Sequence, residues 1–318
     1  MKYGKLSEIT LPKIAFGTWS WGNGMNGGNM IFGNKVDVKE MKNSFDLAVN
    51  NGFVLWDTAP VYGMGTAETY LADCANNNPN IIYSTKFMPA IFQPSKAMEA
   101  SIDESLQRLR INTADIFWIH RPAAIEKWTK ELIPLVHKQK IKYVGLSNHT
   151  LSQLKQAQQI LAATDIPLSA VQNHYSLLYR ASEKANILKW CQDNEVVFFS
   201  YMVLEQGVLT GVYNPENPFP RFSMRGITYP KRKLRKIVSL HQKIAELAQK
   251  YNVESAAIVI AWAIQKGTIP LLGVTKAKHI NAAIQANKLT LTIEEIQLLE
   301  KIADNLDISA KGIWEPKM

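Results

Sequence analysis

Val54-Leu55-Trp56-Asp57, Ile81-Ile82-Tyr83-Ser84-Thr85-Lys86 and Ile116-Phe117-Trp118-Ile119-His120 are three largely apolar runs, each closed by an ionisable residue. Short β-branched and aromatic runs of this kind read as strands of a parallel sheet, buried on both faces. Working outward, similar runs recur at 14–17, 143–146, 170–173, 196–201 and 269–272, which makes eight candidate strands. Helical patterns lie between them, starting near Asp37, Thr66, Pro94, Ile125, Leu151, Ser182, Ser239 and Lys276. Asp37 with Glu40 fits a capping box, with Val36 placed to staple against Met41. Thr292 with Glu295 fits a second box, for an extra C-terminal helix. Eight alternating units predict an α/β chain folded as a closed (β/α)8 TIM barrel rather than an open sheet. No stretch resembles a linker, so residues 1–318 are expected to form a single domain with long loops at its C-terminal face. The longest irregular stretch, about 211–230, is rich in Pro, Asn and Gly and reads as a loop at the barrel mouth.

Composition narrows the function class. The 47% hydrophobic content suits a sizeable core. Cys74 and Cys191 lie in helical patterns without metal-ligand spacing, so neither a disulfide framework nor a metal site is expected. Met1-Lys2-Tyr3-Gly4-Lys5-Leu6 lacks the apolar core of a signal peptide, and no run is long enough to span a membrane. A cytoplasmic protein is expected. The formal charge of +9 is mostly dispersed over helices, which argues against a nucleic-acid partner. The exception is Arg221, Arg225, Lys231, Arg232, Lys233, Arg235 and Lys236. That run reads either as a solvated loop or as a patch that steers an anionic cofactor.

Gly22-Asn23-Gly24-Met25-Asn26-Gly27 matches the glycine pattern of dinucleotide-binding folds. The pattern works only where the glycines open directly into a helix whose N-terminus receives the pyrophosphate. No helical pattern starts before Asp37, so these glycines read as a flexible loop.

The three strand-end residues carry the chemistry. In a β/α barrel the C-terminal strand ends form the active-site face, so Asp57, Lys86 and His120 converge at one mouth, within reach of Tyr62. Singly, each has an ordinary structural reading as a cap, a solvated strand end or a satisfied histidine; together they make a chemical set. A phenol with an ordinary pKa of about 10 is a proton donor at neutral pH. A lysine beside Tyr62 is expected to lower that value, and Asp57 supplies the counter-ion that a buried Lys86 needs. His120 is placed to donate to a carbonyl oxygen as charge develops there. The set offers no strong nucleophile.

With these motifs in place the sequence resembles the aldo-keto reductases, in a bacterial-type form, over essentially its whole length. Trp56-Asp57-Thr58-Ala59-Pro60-Val61-Tyr62-Gly63-Met64-Gly65-Thr66-Ala67-Glu68 is similar to the family's first signature, and Ser84-Thr85-Lys86 to its lysine segment. Ile102-Asp103-Glu104-Ser105-Leu106-Gln107-Arg108-Leu109, with Asp115 and Ile119-His120-Arg121-Pro122, is similar to the second signature. The resemblance implies reversible hydride transfer between a reduced nicotinamide, NADPH with NADH possible, and a small-molecule aldehyde or ketone. It implies Tyr62 as general acid, Lys86 and Asp57 as its tuners, and His120 as the residue that orients the carbonyl. It further implies Ser147, Asn148 and Gln172 around the nicotinamide carboxamide and Tyr201 under the ring. Gly17, Thr18 and Trp19, then Leu204, Gln206 and Gly207, and then Gly273, Thr275, Lys276 and His279 complete the implied cofactor set. Lys276 favours a 2′-phosphate. Trp19, Trp21 and Met88 are expected to line the substrate pocket, with the closing Ile313-Trp314-Glu315-Pro316 segment folded toward the mouth or packed on the surface.

Two departures stand out. The family's usual Tyr-Ser-Pro-Leu is here Tyr201-Met202-Val203-Leu204, and its adenine-binding Glu-Asn is Ala282-Ala283. They leave open a second class, a cofactor-sensing regulatory subunit with slow turnover. An unrelated barrel enzyme such as a phosphate-sugar isomerase needs a different set of residues. Oligomeric state is not legible.

Overall fold

A computed structural model describes residues 5–33, 37–90 and 92–311. Its eight strands, all parallel, close into a barrel in sequence order. They are β1 (Ala15–Gly17), β2 (Leu55–Asp57), β3 (Ile82–Phe87), β4 (Ala114–Ile119), β5 (Ile141–Ser147), β6 (Leu168–His174), β7 (Val197–Tyr201) and β8 (Ile269–Gly273). All eight expected runs are strands. His120 stands one residue beyond β4 rather than on it.

The barrel explains why polar residues close apolar runs. Side chains alternate along a strand, so every second residue faces the barrel axis. Ala15, Leu55, Ile116, Trp118, Ala170 and Phe199 form one buried cluster with Leu6, which comes from the turn Leu6–Glu8. One step of two toward the C-terminal end from Ala15, Leu55, Trp118, Ala170 and Phe199 come Gly17, Asp57, His120, Gln172 and Tyr201. The apolar layer is the floor, and the polar residues stand on it. Gly145 of β5 belongs to the same floor because Trp118 fills its place. A Cβ there would meet the indole at 2.2 Å.

The helices pack outside, against a second and larger core. They include Val38–Asn50, Thr66–Ala75, Ala97–Leu109, Ile125–His137, Leu151–Ala162, Ile187–Asp193 and Lys278–Lys288, with Ile293–Asp304 added at the C-terminus. The Thr292–Glu295 capping box forms as expected. Asp37 caps its helix, but Glu40 instead accepts the Ala277 N–H at 3.0 Å, so the first box is not closed. Val36 lies outside the described residues, as does the 313–316 segment.

Three expectations change. The unit after β7 holds two helices, Lys231–Tyr251 and Ser255–Gln265, where one was expected. Ala257 through Ala263 are all buried, so the second helix has no polar face to mark its period. The basic residues from Lys231 to Lys236 begin the first of these helices rather than forming a loop. And a short helix, Gly28–Phe32, does follow the 22–27 glycines. Those glycines serve close packing: a Cβ on Gly28 would lie 2.3 Å from the Ser20 carbonyl oxygen, and one on Gly27 would lie 2.4 Å from that of Gly22.

Candidate functional site

The closed ladder sets Asp57 beside Ser84 and Lys86 beside Trp118 on neighbouring strands. The side chains then join. Lys86 is fully buried and its ammonium bonds the Asp57 carboxylate and the Thr58 carbonyl oxygen, the latter at 2.9 Å. Ser84 donates to the other Asp57 oxygen at 2.6 Å and accepts from the Trp118 indole at 2.6 Å. Gln172 donates to that same Asp57 oxygen at 3.3 Å. A carboxylate so supplied with donors compensates the buried cation, which is the condition for tolerating an ion pair out of water. Burial still lowers the Lys86 pKa, with Asp57 working against that shift.

Tyr62 sits above this pair. The Lys86 ammonium lies 5.1 Å from the Tyr62 ring centroid, and the His120 ring 6.0 Å away, edge-on. The expected lowering of the Tyr62 pKa is not found. Burial, with the Asp57 charge adding to it, holds the phenol well above its usual value. The reason is geometric: Lys86 spends its charge on Asp57. Burial holds His120 well below its ordinary value, helped by Lys86 and then Arg121, so the imidazole is neutral at physiological pH. Its Nδ1 is buried without a hydrogen-bond partner among the described residues.

Around this centre the expected pocket residues divide. Trp19 stacks on Tyr62 at 5.7 Å with 19° between planes, and Met88 is half-buried just beyond β3. Both stand at the mouth. Trp21 does not: it is fully buried, donates to the Val274 carbonyl oxygen at 2.6 Å and packs on Trp56. Its size suggested a pocket wall, but alternate residues of the Trp19–Trp21 turn face opposite ways. Thr18 is likewise buried, with its hydroxyl on the Asp57 carbonyl oxygen at 3.3 Å, which leaves it a structural tie between β1 and β2.

On the far side, Ser147, Asn148 and Gln172 are buried at the ends of β5 and β6. Asn148 donates to the His120 carbonyl oxygen at 3.1 Å and accepts from the Tyr201 hydroxyl at 2.6 Å. Tyr201 is half-buried and stacks on His174 at 5.5 Å. Gln172 Oε1 and the Ser147 hydroxyl proton have no protein partner among the described residues. A planar ring with an amide needs that combination of flat shelf, donor and acceptor, so these residues fit a nicotinamide.

Leu204, Gln206 and Gly207 lie in the loop after β7, where Met202, Glu205, Gln206 and Gly207 all have left-handed backbones. For three residues with a Cβ this conformation is costly and needs support. Glu205 supplies it, and sequence reasoning missed it. The carboxylate is fully buried and accepts from His174 at 2.7 Å, from the Ser176 hydroxyl and from the Tyr229 hydroxyl. After β8, Gly273, Lys276, Lys278 and His279 are exposed and Thr275 is half-buried, with the Thr275 N–H turned toward His279 Nδ1 at 3.5 Å. Ala282 and Ala283 are buried in the core, so this face of the helix packs and makes no polar contact.

The profile of the aldo/keto reductase family matches residues 13–304. The chain is 26% identical over 325 residues to an aldo-keto reductase named yakc [NADP(+)] from Schizosaccharomyces pombe, covering 96% of this chain and 92% of that protein. It is 28% identical to L-glyceraldehyde 3-phosphate reductase of Escherichia coli strain K12, covering 95% and 92%. It is 27% identical to the chloroplastic pyridoxal reductase of Arabidopsis thaliana, covering 94% and 85%. Among solved structures, a glycerol dehydrogenase from Gluconobacter oxydans shares its fold at a TM-score of 0.81 and 24% identity, covering 96% of this chain and 95% of that one. A Klebsiella pneumoniae aldo/keto reductase in complex with NADP and acetate follows at 0.73 and 20%, covering 97% of each. The chain therefore belongs to the aldo/keto reductase family, whose members are oxidoreductases that act on carbonyl groups with NADP(H).

Proposed function

We propose that this chain is a single-domain, cytoplasmic reductase that converts a small aldehyde or ketone to an alcohol, with Tyr62 as general acid. The observation that carries the reading is the juxtaposition of the Tyr62 phenol, the His120 imidazole and the buried Lys86–Asp57 pair at one barrel mouth. Two buried, unbridged cysteines suit a reducing compartment.

A bound NADPH supplies the hydride to the carbonyl carbon. The remaining work falls to the protein. Ser147, Asn148 and Gln172 hold the nicotinamide amide, and Tyr201 carries the ring. The loop 204–207 serves the pyrophosphate, and Lys276 the adenosine phosphate. His120, neutral, donates a hydrogen bond to the substrate oxygen and fixes its direction. Tyr62 then gives its proton to that oxygen as charge builds there. A raised phenol pKa keeps the proton in place until an alkoxide, a stronger base, forms beside it. Lys86 holds Asp57 in an ion pair, which limits how far the carboxylate opposes the phenolate as it forms.

Tyr62→Phe tests the assignment. Turnover of 4-nitrobenzaldehyde is expected to fall by a factor of about 10²–10⁴ while tryptophan quenching by NADPH is retained. Undiminished turnover would remove Tyr62 from the role of acid. Absence of NADPH binding in the unaltered protein would remove the whole reading.

A further inference from the structure

The loops that rise from the C-terminal ends of β2, β3, β4 and β5 span 58–65, 88–96, 120–124 and 148–150, and none contains an Asp or Glu. Their cations are Lys96 and Arg121. Lys96 begins the helix Ala97–Leu109, away from the centre. Arg121 directly follows His120. The His120 N–H bonds the Phe87 carbonyl oxygen at 2.9 Å, so the two rims run side by side. Two residues further along the same loop, the Pro89 carbonyl oxygen accepts from Arg121 Nε at 2.9 Å. That single bond holds the guanidinium on the rim.

The bond uses one of five guanidinium N–H groups. Among the described residues no carboxylate pairs with Arg121; Arg108, Arg110 and Arg180 have acidic partners, and the other arginines without one, Arg221, Arg225, Arg232 and Arg235, all belong to the segment after β7. The Arg121 charge is felt at the His120 ring. The cofactor's phosphates do not require it, because the loops assigned to them follow β7 and β8, across the barrel. An anchored guanidinium without a carboxylate partner thus stands beside the carbonyl-orienting residue, on loops that carry no acid of their own; Glu131 reaches the far end of the 88–96 loop, at the Lys96 N–H.

We propose that Arg121 is a specificity-determining residue that receives an anionic group, carboxylate or phosphate, carried by the carbonyl substrate. Guanidinium forks match the planar or tetrahedral oxygens of such groups in a way that an ammonium does not. Rim loops without acids of their own also raise the encounter rate for an anion, an effect that salt screens. This proposal rests on reading the cleft as a carbonyl site.

Matched pairs test it with the full chain and NADPH: 4-carboxybenzaldehyde against its methyl ester, and glyceraldehyde 3-phosphate against glyceraldehyde. The acid is expected to have the higher kcat/KM. That ratio should shrink as ionic strength rises, and should fall about tenfold in Arg121→Met, chiefly through KM, with part regained in Arg121→Lys. The pair with the larger fall identifies the anionic group. A ratio that neither salt nor Arg121→Met changes overturns the proposal while leaving the carbonyl reading intact. If the unaltered enzyme reduces no member of either pair, the carbonyl reading falls and this one with it.

Discussion

Two carboxylates are buried at the barrel mouth on opposite sides, and they are held by different means. Asp57 ends β2 and meets Lys86 and Ser84 from β3, with Trp118 of β4 one bond further on. These partners arrive by register, strand beside strand, and only Gln172 of β6 reaches it from across the barrel. Glu205 lies in the irregular loop after β7 and reaches His174 on β6, Ser176 beyond it and Tyr229 ahead of the helix Lys231–Tyr251. Only His174 is a strand residue; the other contacts depend on how long loops settle. One carboxylate balances a charge at the centre of the chemistry. The other holds the loop backbone that the proposed function assigns to the cofactor's pyrophosphate. The difference separates turnover from affinity, and substitutions on the two sides should separate them too.

The largest effect is expected at Lys86→Met. It leaves Asp57 buried without its cation, which costs about 3–5 kcal/mol. Urea unfolding should show that loss, together with a collapse of kcat. Adding Asp57→Asn should restore part of the stability and none of the turnover. Recovery of both would mean that the pair has no chemical role.

A second test lies between the two sides. His149, next to Asn148, is buried with Nδ1 on the Ser147 carbonyl oxygen at 2.8 Å, and burial pushes its pKa down to about 4. The unfolded chain, with an ordinary histidine near 6.5, binds a proton that the folded one refuses. Stability from this site is therefore complete above about 6.5 and is lost as pH falls toward about 4, a loss on the order of 3 kcal/mol. Thermal unfolding followed from pH 7.5 to 4.5 should show this slope together with the one that buried His120 adds, and His149→Phe should reduce it by the His149 share. An unchanged slope would place the acid sensitivity elsewhere.

The smallest effect is expected at Glu205→Gln, which keeps an acceptor for one of the two hydroxyls, turns an NH2 toward the other and removes the charge. KM for NADPH should rise about fivefold, the equivalent of one hydrogen bond of about 1 kcal/mol, with kcat nearly constant. A fall in kcat with KM unchanged would erase the contrast with Asp57.

The legibility of the site follows the same division. Asp57, Lys86 and His120 were visible because each interrupts an apolar run at a strand end, where period-two alternation points it at the barrel mouth; Gln172 and Tyr201 entered only through the family resemblance. Trp21 was misread because composition says that an indole is large, not which way a turn aims it. The helix Ser255–Gln265 escaped notice because a segment buried all round shows no period. Glu205 carried no sign at all: a single acid in an apolar loop reads as exposed until its donors, 31, 29 and 24 residues away, are brought to it.

The sequence by itself determined the eight-strand barrel and the strand ends that carry the proposed site, because alternation and local capping are short-range properties. Tertiary structure alone decided the electrostatics. Whether Lys86 acidifies Tyr62 depends on where its charge is spent, and the closed ladder spends it on Asp57. Burial then sets the phenol high and the imidazole low, since a dielectric environment belongs to the packed barrel and not to any residue in it.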